Sequence, residues 1–165
     1  MSVFAKYDNL ATIVEEDEND VKIDNNNAAT RELRVLICGS RDWTDKRRIG
    51  RYLDELLTAE GLEPQQLVVI HGACKGADHH AGMEAKGRGC RVLEFPANWA
   101  KFGLSAGPKR NQQMLTEGKP GRVVAFHPDL EKSKGTKDMI NRAKFYGVPV
   151  EIITEIHPIS MSKIK

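Results

Sequence analysis

Apolar residues come in five short bursts along this chain, at Leu33 to Cys38, Leu67 to Ile70, Arg91 to Phe95, Arg122 to Phe126 and Val148 to Ile153. Each is too short for a buried helix and is stopped by Gly, Pro or a polar residue. They read as strands buried on both faces, as in a parallel sheet. Helical spacing fills the gaps. Thr44 or Asp45 caps a helix reaching about Ala59, with Ile49, Tyr52, Leu53, Leu56 and Leu57 on one face, and Gly61 ends it. A second helix runs from Ala77 to Gly87. After Pro96 a longer loop carries Asn98, Trp99, Lys101 and Phe102, and Pro108 opens a helix over Lys109 to Glu117. A polar loop from His127 to Lys134 leads to a last helix, Thr136 to Tyr146, closed by Gly147.

Strand and helix alternating in this way predict a doubly wound α/β sheet with right-handed crossovers. The pattern leaves strand order open. An order 3-2-1-4-5 would put the switch point between strands one and four, where ligands of open α/β sheets bind.

Length adds one expectation: 165 residues are most simply one domain. Residues 1–30 are polar and acidic, could bury little surface, and read as an extension, flexible or loosely docked. The domain then spans 31–156, with a frayed tail over 157–165. The net charge is only +2, but acids are concentrated before Asn27, so the remainder is distinctly basic. That suits an anionic ligand and equally a solvated basic surface. Three cysteines in no metal-type pairing argue for a reduced, cytoplasmic protein without a disulfide framework. No apolar run approaches the ~18 residues of a membrane span, and the N-terminus lacks the pattern of a signal peptide.

Candidate chemistry gathers in the turns that follow the strands. They are Gly39-Ser-Arg-Asp-Trp43, His71-Gly-Ala-Cys-Lys-Gly-Ala-Asp78, Pro96-Ala-Asn-Trp99 continuing to Ala106-Gly-Pro-Lys-Arg-Asn111, and His127 to Thr136. Glycines let a backbone approach a ligand, and helix N-termini offer free N–H groups to phosphate or carboxylate. Gly39, Ser40, Gly72, Gly76, Gly107, Ser133, Gly135 and Thr136 are the candidate cradle. Arg41, Lys75, Lys109, Arg110 and Lys134 supply positive charge, with Asn111 beside Arg110. Trp43 and Trp99 could stack on a base, although burial is the commoner use of an aromatic. Asp78 is a candidate helix cap as much as a reactive carboxylate. Cys38 and Cys90 read as core residues, and Cys74 as a loop thiol with no paired base. The spacing from Gly72 to Gly76 is neither the dinucleotide fingerprint nor a P-loop, so neither NAD nor Mg²⁺-dependent ATP hydrolysis is expected. His71, His79 and His80 make no convincing metal-ligand set. No cofactor or metal is expected.

Taken together, G-S-R-D-W, H-G-x-x-x-G-A-D, F-P-A-N-W, A-G-P-x-R-N-x-x-M and S-x-G-T, in this order, resemble the YspA-type branch of the SLOG superfamily. That superfamily includes the cytokinin-activating phosphoribohydrolases and the DNA-processing protein DprA. The resemblance covers roughly Arg34 to Ile153. It implies a Rossmann-like three-layer α/β/α fold with a mainly parallel sheet of about five strands, and a nucleotide or nucleotide-derived ligand at the strand ends. It also implies a homo-oligomer, since related domains commonly pair. The phosphoribohydrolases carry a Gly-Gly-x-Gly-Thr-x-x-Glu loop. Gly135 and Thr136 match its Gly-Thr, and Arg110 and Met114 match an earlier arginine and methionine. The essential glutamate falls at Met139, and Asp138 lies about 100° away on a helix. That counts against the same glycosidic cleavage. Arg110, Asp78 and Asp138 remain the catalytic candidates if there is catalysis, with Asp42, Asp129 and Glu131 as further carboxylates that nothing in the sequence selects among. Three functions stay open: binding of a nucleotide-type signal first, hydrolysis of a nucleoside monophosphate second, and single-stranded nucleic-acid binding third.

Overall fold

A computed structural model describes residues 31–154. The extension expected over 1–30 and the tail over 157–165 lie outside the described residues.

Five strands form one parallel sheet: β1 (Leu33–Gly39), β2 (Leu67–His71), β3 (Arg91–Glu94), β4 (Arg122–Phe126) and β5 (Val150–Ile153). Their order is β3-β2-β1-β4-β5, so the switch point falls between β1 and β4. The helices are α1 (Lys46–Glu60), α2 (Ala77–Gly87), α3 (Trp99–Phe102), α4 (Ala106–Thr116) and α5 (Lys134–Phe145). This is the Rossmann-like α/β architecture that the alternating pattern predicts.

Side chains alternate across a strand, so each central strand feeds two cores. On one face Val35, Ile37, Val69, Val124 and Phe126 pack against Ile49, Tyr52 and Leu53 of α1 and Ala77, Ala81 and Ala85 of α2. On the other, Leu36, Cys38, Val68, Ile70, Val123 and Ala125 pack against Met114 and Leu115 of α4 and Met139, Ile140 and Ala143 of α5. Small residues let α2 lie close to the sheet, while the opposite core carries the buried Met114 and Met139 from its helices.

Asp45 caps α1 by accepting from the Arg48 N–H at 3.0 Å, and Gly61 ends it in the left-handed region at φ +60°. The segment after β3 is more ordered than the expected loop. Asn98 caps α3, its Oδ1 accepting from the Lys101 N–H at 3.0 Å. A tight turn over Gly103–Ser105 then carries the chain into α4, which begins at Ala106 rather than Lys109. The last helix also starts early, at Lys134, because Ser133 caps it through the Thr136 N–H. β5 starts late, at Val150, after Pro149, which has no N–H to donate. None of the helices among the described residues is long and apolar enough to cross a membrane.

Candidate functional site

The carboxyl rim of the sheet is built around glycines at which the backbone leaves no room for a side chain. A Cβ on Gly39 would lie 2.0 Å from the Phe126 carbonyl oxygen and 2.9 Å from Ala77 Cβ. The end of β1 is thus pressed onto the end of β4 and the start of α2. The Ser40 N–H donates to the Phe126 oxygen at 2.9 Å, and the Ser40 oxygen accepts from Ala77 at 3.0 Å. Gly76 has φ +72° and comes so close to the first turn that a Cβ there would sit 2.2 Å from the Ser40 oxygen. The first two turns are therefore one interlocked unit, with Arg41 and Lys75 exposed on it. Trp43 is no part of an outer wall. It is 1 % exposed, packs edge-on against Phe126 with ring centres 5.4 Å apart, and donates its indole N–H to the Asp45 oxygen.

Below that unit the β2–α2 turn is held from both sides. The Gly72 N–H donates to Asp78 Oδ2 at 2.8 Å, and the Arg110 guanidinium donates to the Gly72 oxygen. A Cβ on Gly72 would collide with that guanidinium. Both terminal nitrogens of Arg110 also lie 3.6 Å from Cys74 Sγ. Asp78 is 5 % exposed. Burial pushes its carboxyl up to about 6, against the opposing pull of Arg110 and of the amide donors of the turn. His71, also buried, accepts from the Ala73 N–H through Nδ1 at 3.1 Å, and burial lowers its proton affinity.

Arg110 also links this turn to the other side of the switch point. Its Nε donates to Asn111 Oδ1 at 3.2 Å. Asn111 Nδ2 donates in turn to the Gly135 oxygen at 3.2 Å and to Asp138 Oδ2 at 2.9 Å. Asp138 is paired with Arg142 at 2.8 Å. A hollow of about 340 Å³ opens beside this chain of bonds, between α4 and α5, and shares Asp138 and Arg142 with it but none of the glycines. The β4–α5 turn opens as the β2 turn does, with a buried histidine: His127 Nδ1 accepts from the Asp129 N–H at 3.0 Å. Ser133 Oγ then accepts from the Thr136 N–H at 3.1 Å. Gly135 is exposed, and a Cβ added to it would meet nothing within 4 Å. On the outer flank, Trp99 is 49 % exposed and its ring tip reaches Gly107.

The structure thus joins Gly39, Ser40, Arg41, Gly72, Gly76, Asp78, Arg110, Asn111 and Gly135 by direct contacts along one rim, with Trp99 and Gly107 at its β3 end. It corrects the roles of several. The amides of Ser40, Gly72 and Thr136, expected to be free for phosphate, already donate to Phe126, Asp78 and Ser133. Among the described residues the N–H groups of Gly76, Lys134 and Gly135 have no acceptor. Met139 is 1 % exposed in the core, and Asp138 is bound by Asn111 and Arg142, so neither offers a carboxylate where the phosphoribohydrolases place one. No three His, Cys, Asp or Glu side chains among the described residues gather as metal ligands. Sequence reasoning missed Asn98 as a cap and the paired histidines. Both were legible as an Asn three residues before Lys101 and as a His closing each of β2 and β4.

The model of the YspA, cpYpsA-related SLOG family matches residues 33–102. The Gene 61 protein of Mycobacterium phage D29 is 36 % identical over 122 residues, which cover 71 % of this chain and 93 % of that protein. Among solved structures, the X-ray structure of DNA processing protein A (DprA) from Streptococcus pneumoniae superposes with a TM-score of 0.56 at 17 % identity. That alignment covers 80 % of this chain and 54 % of DprA, so the chain spans about half the length of that neighbour, and the likeness is one of fold. With the family model on its first strands and a phage relative matched over nearly its whole length, the chain belongs to the YspA, cpYpsA-related SLOG family.

Proposed function

We propose that this protein binds a phosphorylated small molecule, a nucleotide or a nucleotide-derived signal, at the carboxyl rim between the Gly76 turn and the N-terminus of α5. The observation that carries the reading is Gly135. It is exposed, has open space where a side chain would go, and lies in the first turn of α5 beside N–H groups with no acceptor. A backbone left bare in this way suits an approaching anion, which the helix dipole also favours. Lys134 stands exposed beside it in the chain, and Arg41 and Lys75 stand exposed on the interlocked first two turns. Family membership supports a nucleotide as the anion's source. Hydrolysis has less support. Met139 cannot exchange a proton, and Asp78, although raised into a useful range, is turned into its own loop by the Gly72 N–H.

Calorimetric titration with a panel of mono-, di- and cyclic nucleotides tests the proposal. Saturable binding by one class, lost on Arg41→Ala with Lys134→Ala, is the expected result. Well-folded protein that binds no member of the panel rejects it.

A further inference from the structure

Between Glu94 and Glu117 the chain carries no acidic residue, yet it holds Lys101, Lys109 and Arg110. The same segment exposes much of the large apolar surface near the rim: Trp99 at 49 %, Phe102 at 37 % and Leu104 at 95 %. Lys101 and Lys109 place their ammonium groups 5.0 and 4.9 Å from the centre of the Phe102 ring. Cations over an aromatic face are mutually favourable, but they do not remove the ring from water. Aromatic surface left half in solvent on a short capped helix, with two lysines over one ring and no acid in its own segment, is complementary to a flat anionic ligand.

Its position decides which part of a ligand it would meet. The Trp99 ring tip sits over Gly107, 3.4 Å from where a Cβ would be. Gly107 lies one turn before Arg110 on α4, about 4.5 Å along the helix axis. Trp99 therefore packs on α4 one helical turn before the residue whose guanidinium closes the β2 turn. Gly107 matters for the same reason: a larger residue would push the indole away.

We propose that the β3–α4 segment reads the base: a purine stacks on the exposed surface of Trp99, with its phosphate toward the Gly76 and Gly135 turns. This rests on the reading of the rim as a nucleotide site and narrows its ligand to purine nucleotides. Stacking strength follows the area of the π-face, so a purine outranks a pyrimidine and both outrank a sugar phosphate.

The two tryptophans make the test direct. Trp43 is buried, so quencher-accessible emission belongs to Trp99. AMP, UMP and ribose 5-phosphate are titrated against the full chain by calorimetry and by tryptophan fluorescence. AMP should bind roughly tenfold more tightly than ribose 5-phosphate, with UMP between, and only the nucleotides should shield the accessible indole. Trp99→Ala should bring AMP down to the affinity of ribose 5-phosphate and leave the sugar phosphate unchanged. Trp99→Phe should keep most of the AMP preference, which a purely structural role would not require. Equal binding of AMP and ribose 5-phosphate overturns the inference while leaving the phosphate site standing. A Trp99→Ala loss shared by both ligands assigns the ring to packing and overturns it too. Binding of a single-stranded oligonucleotide alone, with none of the three small ligands, overturns it in favour of a strand. No binding of any kind removes the rim proposal along with this one.

Discussion

The turns after β2 and β4 begin alike and end differently. Both open with a buried histidine whose Nδ1 accepts the amide two residues on. Both lead through a glycine into a helix. In the β2 turn the glycines are hemmed in: Gly76 faces the Ser40 carbonyl with no space for a methyl group, and Gly72 faces the Arg110 guanidinium, which would have to give way. In the β4 turn Gly135 faces open space. A glycine in a helix interior costs about 1 kcal/mol relative to alanine, and packing does not require one at position 135. The first turn is architecture, and the second has the open backbone that the proposed anion site would use.

The comparison breaks most visibly at Gly76→Ala. The new Cβ would collide with the first turn at a φ that L residues rarely adopt. Roughly 3 kcal/mol of stability should be lost, read as a lower denaturant midpoint. A neutral result would mean that the β2 turn is as free as its counterpart.

The next effect is on pH dependence. Burial raises the Asp78 carboxyl from its usual range, near 3.8, to about 6. The folded state then holds a proton that the unfolded chain releases. Stability from this group is fully present below about pH 4 and is lost as pH rises through 6. The stability of the wild type minus that of Asp78→Asn should therefore fall by about 2–3 kcal/mol across that window. His71 and His127, whose proton affinity burial lowers, act in the opposite sense, but they are present in both proteins and cancel in the difference. Urea melts at half-unit pH steps measure it, and a flat difference would place Asp78 in water.

Asn111→Ala comes third. It removes the bonds to the Gly135 oxygen and Asp138, and about 1–2 kcal/mol with them. Hydrogen exchange in the first turn of α5 should quicken, because that bond ties the turn to α4. Unchanged exchange would show that Ser133 alone holds it.

The strands and most of the helices were legible because burial imposes a pattern: apolar runs for β1, β2 and β4, and one apolar face for α1. The edge strands β3 and β5 are apolar but largely uncovered, so the expectation of burial on both faces fails there. The rim as a set was legible from its turn composition. The state of its amides was not, because it depends on how the turns close. The Ser40 N–H meets the Phe126 oxygen only once β1 lies beside β4, and the Gly72 N–H meets Asp78 only once its own turn folds back. Trp43 was misjudged for the same reason. Nothing local says that it turns inward to meet Phe126. Gly135 and Gly76 look equivalent as letters, and the space around each and the positive φ at Gly76 separate them.

Gly135→Ala is the decisive variant, with stability and nucleotide affinity measured on the same sample. Stability should be unchanged or raised by up to about 1 kcal/mol, and nucleotide affinity should fall at least about tenfold, because the methyl group would occupy the space proposed for the anion. A variant that binds the nucleotide as well as the wild type, at equal stability, would contradict an anion site at this turn.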